Sequence, residues 1–330
     1  MARVAVVGAG VIGLSAAVCI QKLEPTAQVT IISEEFSPHT TGDGAAGLWT
    51  PFLVGSTPLD KVKKWSKATH DFLLELWNTE NGGKLGIMLL PVTRVTSDDS
   101  LNDEAWKDTV FGYRVLTKKE LAATEIPDLT YGTKFVTFIC EPAKLLPYLL
   151  QRFKEKGGKV IKQRVSDLKT LQHEFDIVVN CTGVQAHHVV GDKKVKPIRG
   201  QVLKVEAPEI SHAFLSDCED GHYVIPNQDS VTLGGTHQEN DWNRNPYPED
   251  TKFIKEGCEK LYPTLKQAKL VREWVGLRPG RESVRLELEI INIPGGAPLK
   301  VKFIIVSQTL LRNNTPTFDL VIAKGVKYLF

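Results

Sequence analysis

Gly8, Gly10 and Gly13 stand at the spacing G-x-G-x-x-G, and what that spacing does is backbone chemistry. Gly8 permits a tight turn, Gly10 lets a pyrophosphate approach the main chain, and Gly13 lets a helix pack closely on a strand. The free N–H groups of the helix start and the positive end of its dipole then face the phosphates. Further along stand Glu34 and Glu35, where an acidic side chain about 20 residues beyond the glycines is placed to hold a ribose hydroxyl. Other reactive residue types do not cluster in this way. The five cysteines, Cys19, Cys140, Cys181, Cys218 and Cys258, show neither CxxC spacing nor zinc-ligand pairing. Scattered and odd in number, they argue for a reducing compartment and against a disulfide framework. His173, His187, His188 and His222 lack a carboxylate or cysteine at ligand spacing and read as surface or turn residues, so no metal is expected.

The glycines need a strand before them and a helix after them, and the sequence supplies both. Val4–Val7 is an apolar β-branched run, Leu14–Leu23 reads as helix, and Gln28–Ser33 reads as a second strand. That is the first βαβ unit of a parallel sheet. Ser37–Pro51 is rich in Gly, Thr and Ala without periodicity, a candidate functional loop. Leu59–Asn78 carries helical spacing through Val62, Trp65, Phe72, Leu73, Leu76 and Trp77. Met88–Thr96 and Lys134–Ile139 read as strands, and Pro142–Lys156 as a helix closed by Gly157-Gly158. Strands at Lys159–Gln163 and Phe175–Asn180 follow, the second stopping at Cys181-Thr182-Gly183. A buried strand that stops there suits the carboxyl edge of the same sheet, where open α/β sheets bind ligands. Strand–turn–strand texture then runs from Ile198 to Thr236. The reading is an α/β protein with a discontinuous Rossmann-type domain built on a parallel sheet, residues 1–50, 140–195 and 270–330. Interleaved with it is a mainly antiparallel, β-rich substrate domain, residues 51–139 and 196–269.

The bulk properties agree. A chain of 330 residues suits two interlocked domains. A formal charge of +2 gives no electrostatic reason to expect nucleic acid. No apolar run reaches membrane-spanning length, and the first strand starts too soon to leave room for a signal peptide. The triplets Asn180-Cys181-Thr182 and Asn313-Asn314-Thr315 therefore read as coincidences rather than glycosylation sites.

The loop narrows the choice of cofactor. Thr40-Thr41-Gly42-Asp43-Gly44-Ala45-Ala46-Gly47-Leu48-Trp49-Thr50-Pro51, following the glycine turn and Glu34, resembles the D-amino-acid oxidase family of flavoproteins. The likeness continues through Trp106–Val110, Asn180–Val184, Arg199-Gly200-Gln201, Val231–Thr236, Gly276-Leu277-Arg278-Pro279 and Val284–Glu287. Thr236 followed by Asp241-Trp242-Asn243, with Gly-Leu-Arg-Pro, is more similar to the branch acting on D-aspartate than to the neutral-substrate branch.

The resemblance implies FAD and the oxidation of a D-amino acid by hydride transfer from Cα to flavin. The imino acid is hydrolysed to a 2-oxo acid and ammonia, and oxygen takes the electrons to give hydrogen peroxide. By motif match, flavin contacts fall on Gly8, Gly10, Val11, Ile12 and Gly13, with Glu34 on ribose. Thr40, Thr41, Gly47 and Leu48 lie near the flavin and its pyrophosphate, with Val165 and Thr182 on the adenosine side. Trp49 reads as packing. Arg278 is the planar fork for the substrate α-carboxylate, and Tyr223 in Gly-His-Tyr-Val-Ile-Pro adds a hydrogen bond. The D-aspartate branch has arginines where this chain has Ser216 and His237. His237 is thus the candidate for a substrate side-chain carboxylate, although an imidazole is mostly neutral at pH 7. The partners implied are a small D-amino acid and oxygen, with no nucleic acid or membrane, and self-association is left open.

Past Lys302 the resemblance stops. The family has a glycine-rich loop and a long helix there; this chain has Phe303–Ser307, Asn313–Pro316, Phe318–Ala323 and a terminal Tyr328-Leu329-Phe330. The tail reads either as an alternative terminus on a standard oxidase or as a feature of a relative with impaired catalysis that binds a nucleotide or a protein partner. An exposed apolar sheet face and weak FAD retention are expected with either reading. The family resemblance implies a peroxisomal location; without a Ser-Lys-Leu-type tripeptide, a cytoplasmic one is the alternative.

Overall fold

The computed structural model describes residues 1–51, 54–98, 104–218, 221–292 and 298–305. It starts with β1 (Arg3–Val7), α1 (Val11–Leu23) and β2 (Gln28–Ser33). β1 and β2 pair in parallel, Val4 opposite Val29 and Val7 opposite Ile32, so α1 is the crossover that parallel strands require. A loop with one 3₁₀ turn at Thr41–Gly44 leads to α2 (Leu59–Trp77). Then come β3 (Ile87–Thr96), β4 (Phe111–Val115), a short α3 (Lys118–Ala122), β5 (Tyr131–Cys140) and α4 (Pro142–Glu155). β6 (Lys159–Lys162), β7 (Ile177–Asn180), α5 (Ala186–Val189) and β8 (Lys196–Glu206) follow. The chain goes on through β9 (Ala213–Ser216), β10 (Tyr223–Pro226), β11 (Val231–Gly234), β12 (Gln238–Glu239) and α6 (Pro248–Leu261). β13 (Lys269–Gly280), β14 (Arg285–Ile291) and β15 (Leu299–Ile305) complete the described elements.

Two sheets result. The six-stranded sheet runs β14-β15-β7-β1-β2-β6, parallel throughout except where β14 joins β15. The nine-stranded sheet runs β12-β8-β11-β10-β9-β3-β5-β4, with β13 also paired to β8. It is antiparallel except between β3 and β9. β13 pairs with β8 along its length, Lys269 opposite Glu206 and Gly280 opposite Lys196. A domain boundary at 270 thus falls at the start of a strand of the second sheet, and the return to the first comes after Gly280.

Both faces of the six-stranded sheet are covered around its central strands. On one side α4 turns Leu145, Leu149 and Phe153, spaced by four, against α1, and all three are fully buried. Truncating Phe153 to Ala removes a buried ring at a cost of about 3–5 kcal/mol. On the other side Ala5, Val7, Val178, Val301 and Phe303 cluster with Leu168, Leu171, Phe175, Ala186 and Val195. Part of the exposed apolar face expected beyond Lys302 is present, at Leu288 and Ile290 of β14, which are 48% and 61% exposed, while Phe303 on the opposite face is only 2% exposed. The short segments after β6 and β7 carry the apolar residues that meet it. The tail segments Asn313–Pro316 and Phe318–Ala323, and the tripeptide position, lie outside the described residues. Among those described, no helix is long and apolar enough to cross a membrane.

Candidate active site

The first part of the site is made of main chain at the carboxyl end of β1. Gly8 has φ +111°, and its N–H donates to the Ile32 carbonyl at 2.9 Å. A Cβ on Gly8 would lie 2.3 Å from the Cys181 carbonyl oxygen, and one on Gly13 would lie 1.9 Å from that of Gly8. Helix and strands therefore touch backbone to backbone, which needs glycine at both positions. Gly10 differs, because a Cβ there meets nothing within 4 Å. It opens on free space beside the first turn of α1, where no side chain caps the helix and no acidic residue stands. The amides of Val11, Ile12 and Gly13 and the dipole are thus left for an anion. This cradle fits a pyrophosphate.

Glu34 lies exposed just past β2, its carboxylate 3.8 Å from Arg164. Val165, next to Arg164, packs on the second face of the sheet. Thr182 caps the end of β7, its hydroxyl donating to Asn180 Oδ1 at 2.7 Å. Glu34, Val165 and Thr182 thus follow β2, β6 and β7 at one edge. The loop after β2 is held by Asp43, which accepts from the Thr40 N–H and hydroxyl at 2.8 and 2.6 Å. Thr41 donates from its hydroxyl to the Leu277 carbonyl at 3.3 Å and ties the loop to β13. Gly47, with φ +80°, accepts from the Cys140 N–H at 2.8 Å, and Leu48 bridges to Ile139. Val11, Gly42 and Gly47 line one recess with Cys140 and Leu145, so the start of α1 and the loop meet. Trp49 packs, 3% exposed and edge-on to His70 and Trp106.

The second part is one face of the nine-stranded sheet. Tyr223 lies opposite Gly234, Gly234 opposite Val202, and Val202 opposite Trp274. Along β13 the period of two puts Trp274, Gly276 and Arg278 on the same face. Tyr223, Trp274 and Arg278 line a cleft whose other wall includes Thr41, Ala45 and Ala46. The bare positions make room: a Cβ on Gly234 would stand 2.0 Å from the Tyr223 ring, and one on Gly200 2.0 Å from the Arg278 guanidinium.

Arg278 is 8% exposed and donates to the Thr236 carbonyl at 3.0 Å. Burial lowers its pKa from the ordinary value and raises that of Tyr223; the Arg278–Tyr223 hydrogen bond and attraction oppose both shifts. An arginine so placed stays charged. Its neighbours Arg281 and Arg285 pair with Asp192, but among the described residues no carboxylate pairs with Arg278. A buried cation without a counter-ion is costly and is suited to an anionic ligand.

His237 follows Thr236 and is half-buried, but it is not part of the cleft lining. Ser216 is buried, its N–H donating to the His222 carbonyl at 2.9 Å. His187 is bonded to the Val195 carbonyl, and His188 lies against Trp242. Trp274 and Val202 line the cleft without having been singled out from the sequence, and Gly200 joins them from the Arg199-Gly200-Gln201 motif. The alternation Trp274-x-Gly276-x-Arg278 was the signal, legible only once β13 is known to be a strand.

A glycine cradle that fits a dinucleotide thus stands beside a sheet face carrying a buried arginine. The chain belongs to the DAO family of FAD-dependent oxidoreductases, which it matches over residues 3–292. It is 42% identical over 295 residues to human D-aspartate oxidase, covering 89% of this chain and 86% of that protein. It is 38% identical over 291 residues to a D-amino acid oxidase of Dugesia ryukyuensis, covering 87% and 86%. The fold is shared with glycine oxidase from Bacillus cereus ATCC 14579, at a TM-score of 0.73 and 19% identity over 93% of this chain and 90% of that one. FAD is the cofactor.

Proposed function

We propose that the protein oxidises D-amino acids, with D-aspartate as the first candidate and neutral D-amino acids second. The observation that carries this reading is Arg278, buried, charged and without a carboxylate partner among the described residues, across a cleft from the cofactor loop. Its planar fork takes the substrate α-carboxylate in two parallel hydrogen bonds. The Tyr223 hydroxyl adds a third and, through its bond to Arg278, fixes the fork. Held there, the substrate Cα is oriented toward the Thr41–Ala46 wall, and orientation is the main demand the chemistry makes on side chains. Bound FAD supplies the hydride acceptor, oxygen removes the electrons as hydrogen peroxide, and the imino acid hydrolyses to a 2-oxo acid and ammonia.

On the cofactor side, the amides at Gly8, Gly10, Val11, Ile12 and Gly13 hold the pyrophosphate and Glu34 holds ribose. Thr40, Thr41, Gly47 and Leu48 flank the flavin, and Val165 and Thr182 flank adenosine. The cofactor domain then comprises 1–50, 140–195 and the chain beyond Gly280, and the substrate domain the remainder. A peroxisomal location suits an enzyme that releases peroxide, and a fluorescent fusion checks it.

The experiment is anaerobic mixing of the FAD-loaded protein with D-aspartate or D-alanine. Loss of flavin absorbance supports the reading, and flavin unchanged by either substrate refutes it. The assignment of His237 to the substrate side chain has its own test. An imidazolium is needed to face a second carboxylate, so turnover of D-aspartate relative to D-alanine should rise as pH falls from 8 to 6. Equal pH responses remove His237 from that role.

A further inference from the structure

Lys204 is a partly buried cation that the proposed reaction does not use. It lies on β8 at the same parity as Gly200 and Val202, hence on the face that bears the cleft. Its ammonium donates to Thr232 Oγ1 at 2.6 Å and to Asn227 Oδ1 at 3.0 Å. The Thr232 hydroxyl donates to the same Asn227 oxygen at 2.7 Å. Asn227 Oδ1 therefore accepts twice, which leaves Nδ2 to donate to the Ala46 carbonyl at 2.7 Å. An ammonium has donors and no acceptor, so it fixes which way the amide points. Were the amide reversed, Asn227 would set oxygen against oxygen at Ala46. The contact matters because Ala46 is part of the cofactor-side wall of the cleft, while Asn227 directly follows the strand that carries Tyr223. The hairpin tip is also clasped from outside, with Lys144 2.7 Å from Asp229 and Gln228 donating to the Gly83 carbonyl at 2.8 Å.

We propose that Lys204 is a positioning residue that acts through Asn227 to hold the Ala46 wall of the cleft at a fixed distance from Tyr223. The geometry makes the two walls one unit only while the Asn227 amide is oriented. Burial lowers the Lys204 pKa to about 8; Glu141 works against that shift and Arg272, opposite it on β13, adds to it. Above that pH the amine loses a donor and gains an acceptor lone pair, and the orientation of Asn227 is no longer enforced.

The test combines Lys204→Met, Lys204→Arg, Asn227→Ala and the Lys204→Met/Asn227→Ala double variant. Backbone amide exchange over residues 44–48 should quicken by about tenfold in Lys204→Met and be restored in Lys204→Arg, whose guanidinium also only donates. This arm needs no turnover, so it stands if the oxidase reading fails. The activity arm rests on that reading: KM for the D-amino acid rises several-fold in Lys204→Met with a smaller change in kcat. The double variant should be no worse than Asn227→Ala alone. In Lys204→Arg the limb of the KM profile near pH 8 should disappear. Additive effects of the two substitutions, or unchanged exchange at 44–48 in both Lys204→Met and Asn227→Ala, would overturn the proposal.

Discussion

The two walls of this site are built from different materials. The cofactor side is largely main chain: a turn and a helix start with glycine where a Cβ would intrude, and a loop tied in place by Thr40, Thr41 and Asp43. The substrate side is side chain: a phenol, an indole and a guanidinium standing on a sheet whose glycines lie beneath them. A dinucleotide presents the same phosphates in every protein, so fixed backbone geometry serves it. A substrate must be discriminated, and side chains can change without rebuilding the sheet. The first wall should therefore be sensitive to added bulk, and the second to removed function.

The largest separation of the two should come from Arg278→Met. It leaves a carboxylate without its charged partner, a cost of about 2–5 kcal/mol, so kcat/KM should fall by about thirtyfold or more. FAD affinity, read by flavin fluorescence, should not change; a parallel loss of flavin would mean that the walls are not separate. Next is Gly10→Val. The position has φ −74° and ψ −175°, which any residue adopts, and its Cβ meets nothing. The melting midpoint should hold while FAD affinity drops by at least about tenfold, or 1.4 kcal/mol. Gly13→Ala should instead melt early, because its Cβ meets the Gly8 carbonyl. Tyr223→Phe keeps the ring over Gly234 and loses one hydrogen bond, so KM should rise about fivefold, near 1 kcal/mol, with flavin binding intact.

The smallest effect belongs to the opposite edge of the parallel sheet. There Arg3, at the start of β1, holds Asp176 just before β7, its guanidinium 2.8 Å from the carboxylate. Hydrogen bonds from Arg3 keep the Asp176 pKa at about 2, below its ordinary value. Because the folded pKa is the lower one, this stabilisation is present above about pH 4 and is lost as pH falls toward 2. Asp176→Asn should flatten that part of the melting-temperature profile and leave turnover at neutral pH untouched. A change in turnover would show that the edge away from the cofactor also matters.

The same contrast explains what could be read from residue order. Gly8, Gly10 and Gly13 act within one turn, so spacing alone exposes them, and the β1–α1–β2 unit came with them. The strands β3 and β5 and the helix α4 were legible from period and from Pro142 and Gly157. Helix α6 was missed because Pro248–Leu261 is largely polar and its buried stripe is only Asp250, Ile254, Gly257 and Cys258. Arg278 and Tyr223 were singled out through resemblance rather than spacing. Their meeting depends on a register that spans β10, β11, β8 and β13, and no local pattern states a register. Trp274 and the Lys204–Asn227 contact were hidden for the same reason. The exposed face expected after Lys302 holds at Leu288 and Ile290 of β14 but not around Phe303, where short segments with few apolar residues, Leu168, Leu171 and Ala186, sit over the sheet.

The order of strands in the parallel sheet has a consequence for the nascent chain. β7 lies between β1, made well before it, and β15, made more than a hundred residues after it. Until β15 emerges from the ribosome, β7 presents Ile177–Asn180 as a bare apolar edge, the kind of surface that recruits the wrong partner. The cofactor cradle can form early from β1, α1 and β2, but the sheet beneath it closes only once β15 has been made. Dinucleotide present during translation would thus meet a binding turn before it meets a finished protein.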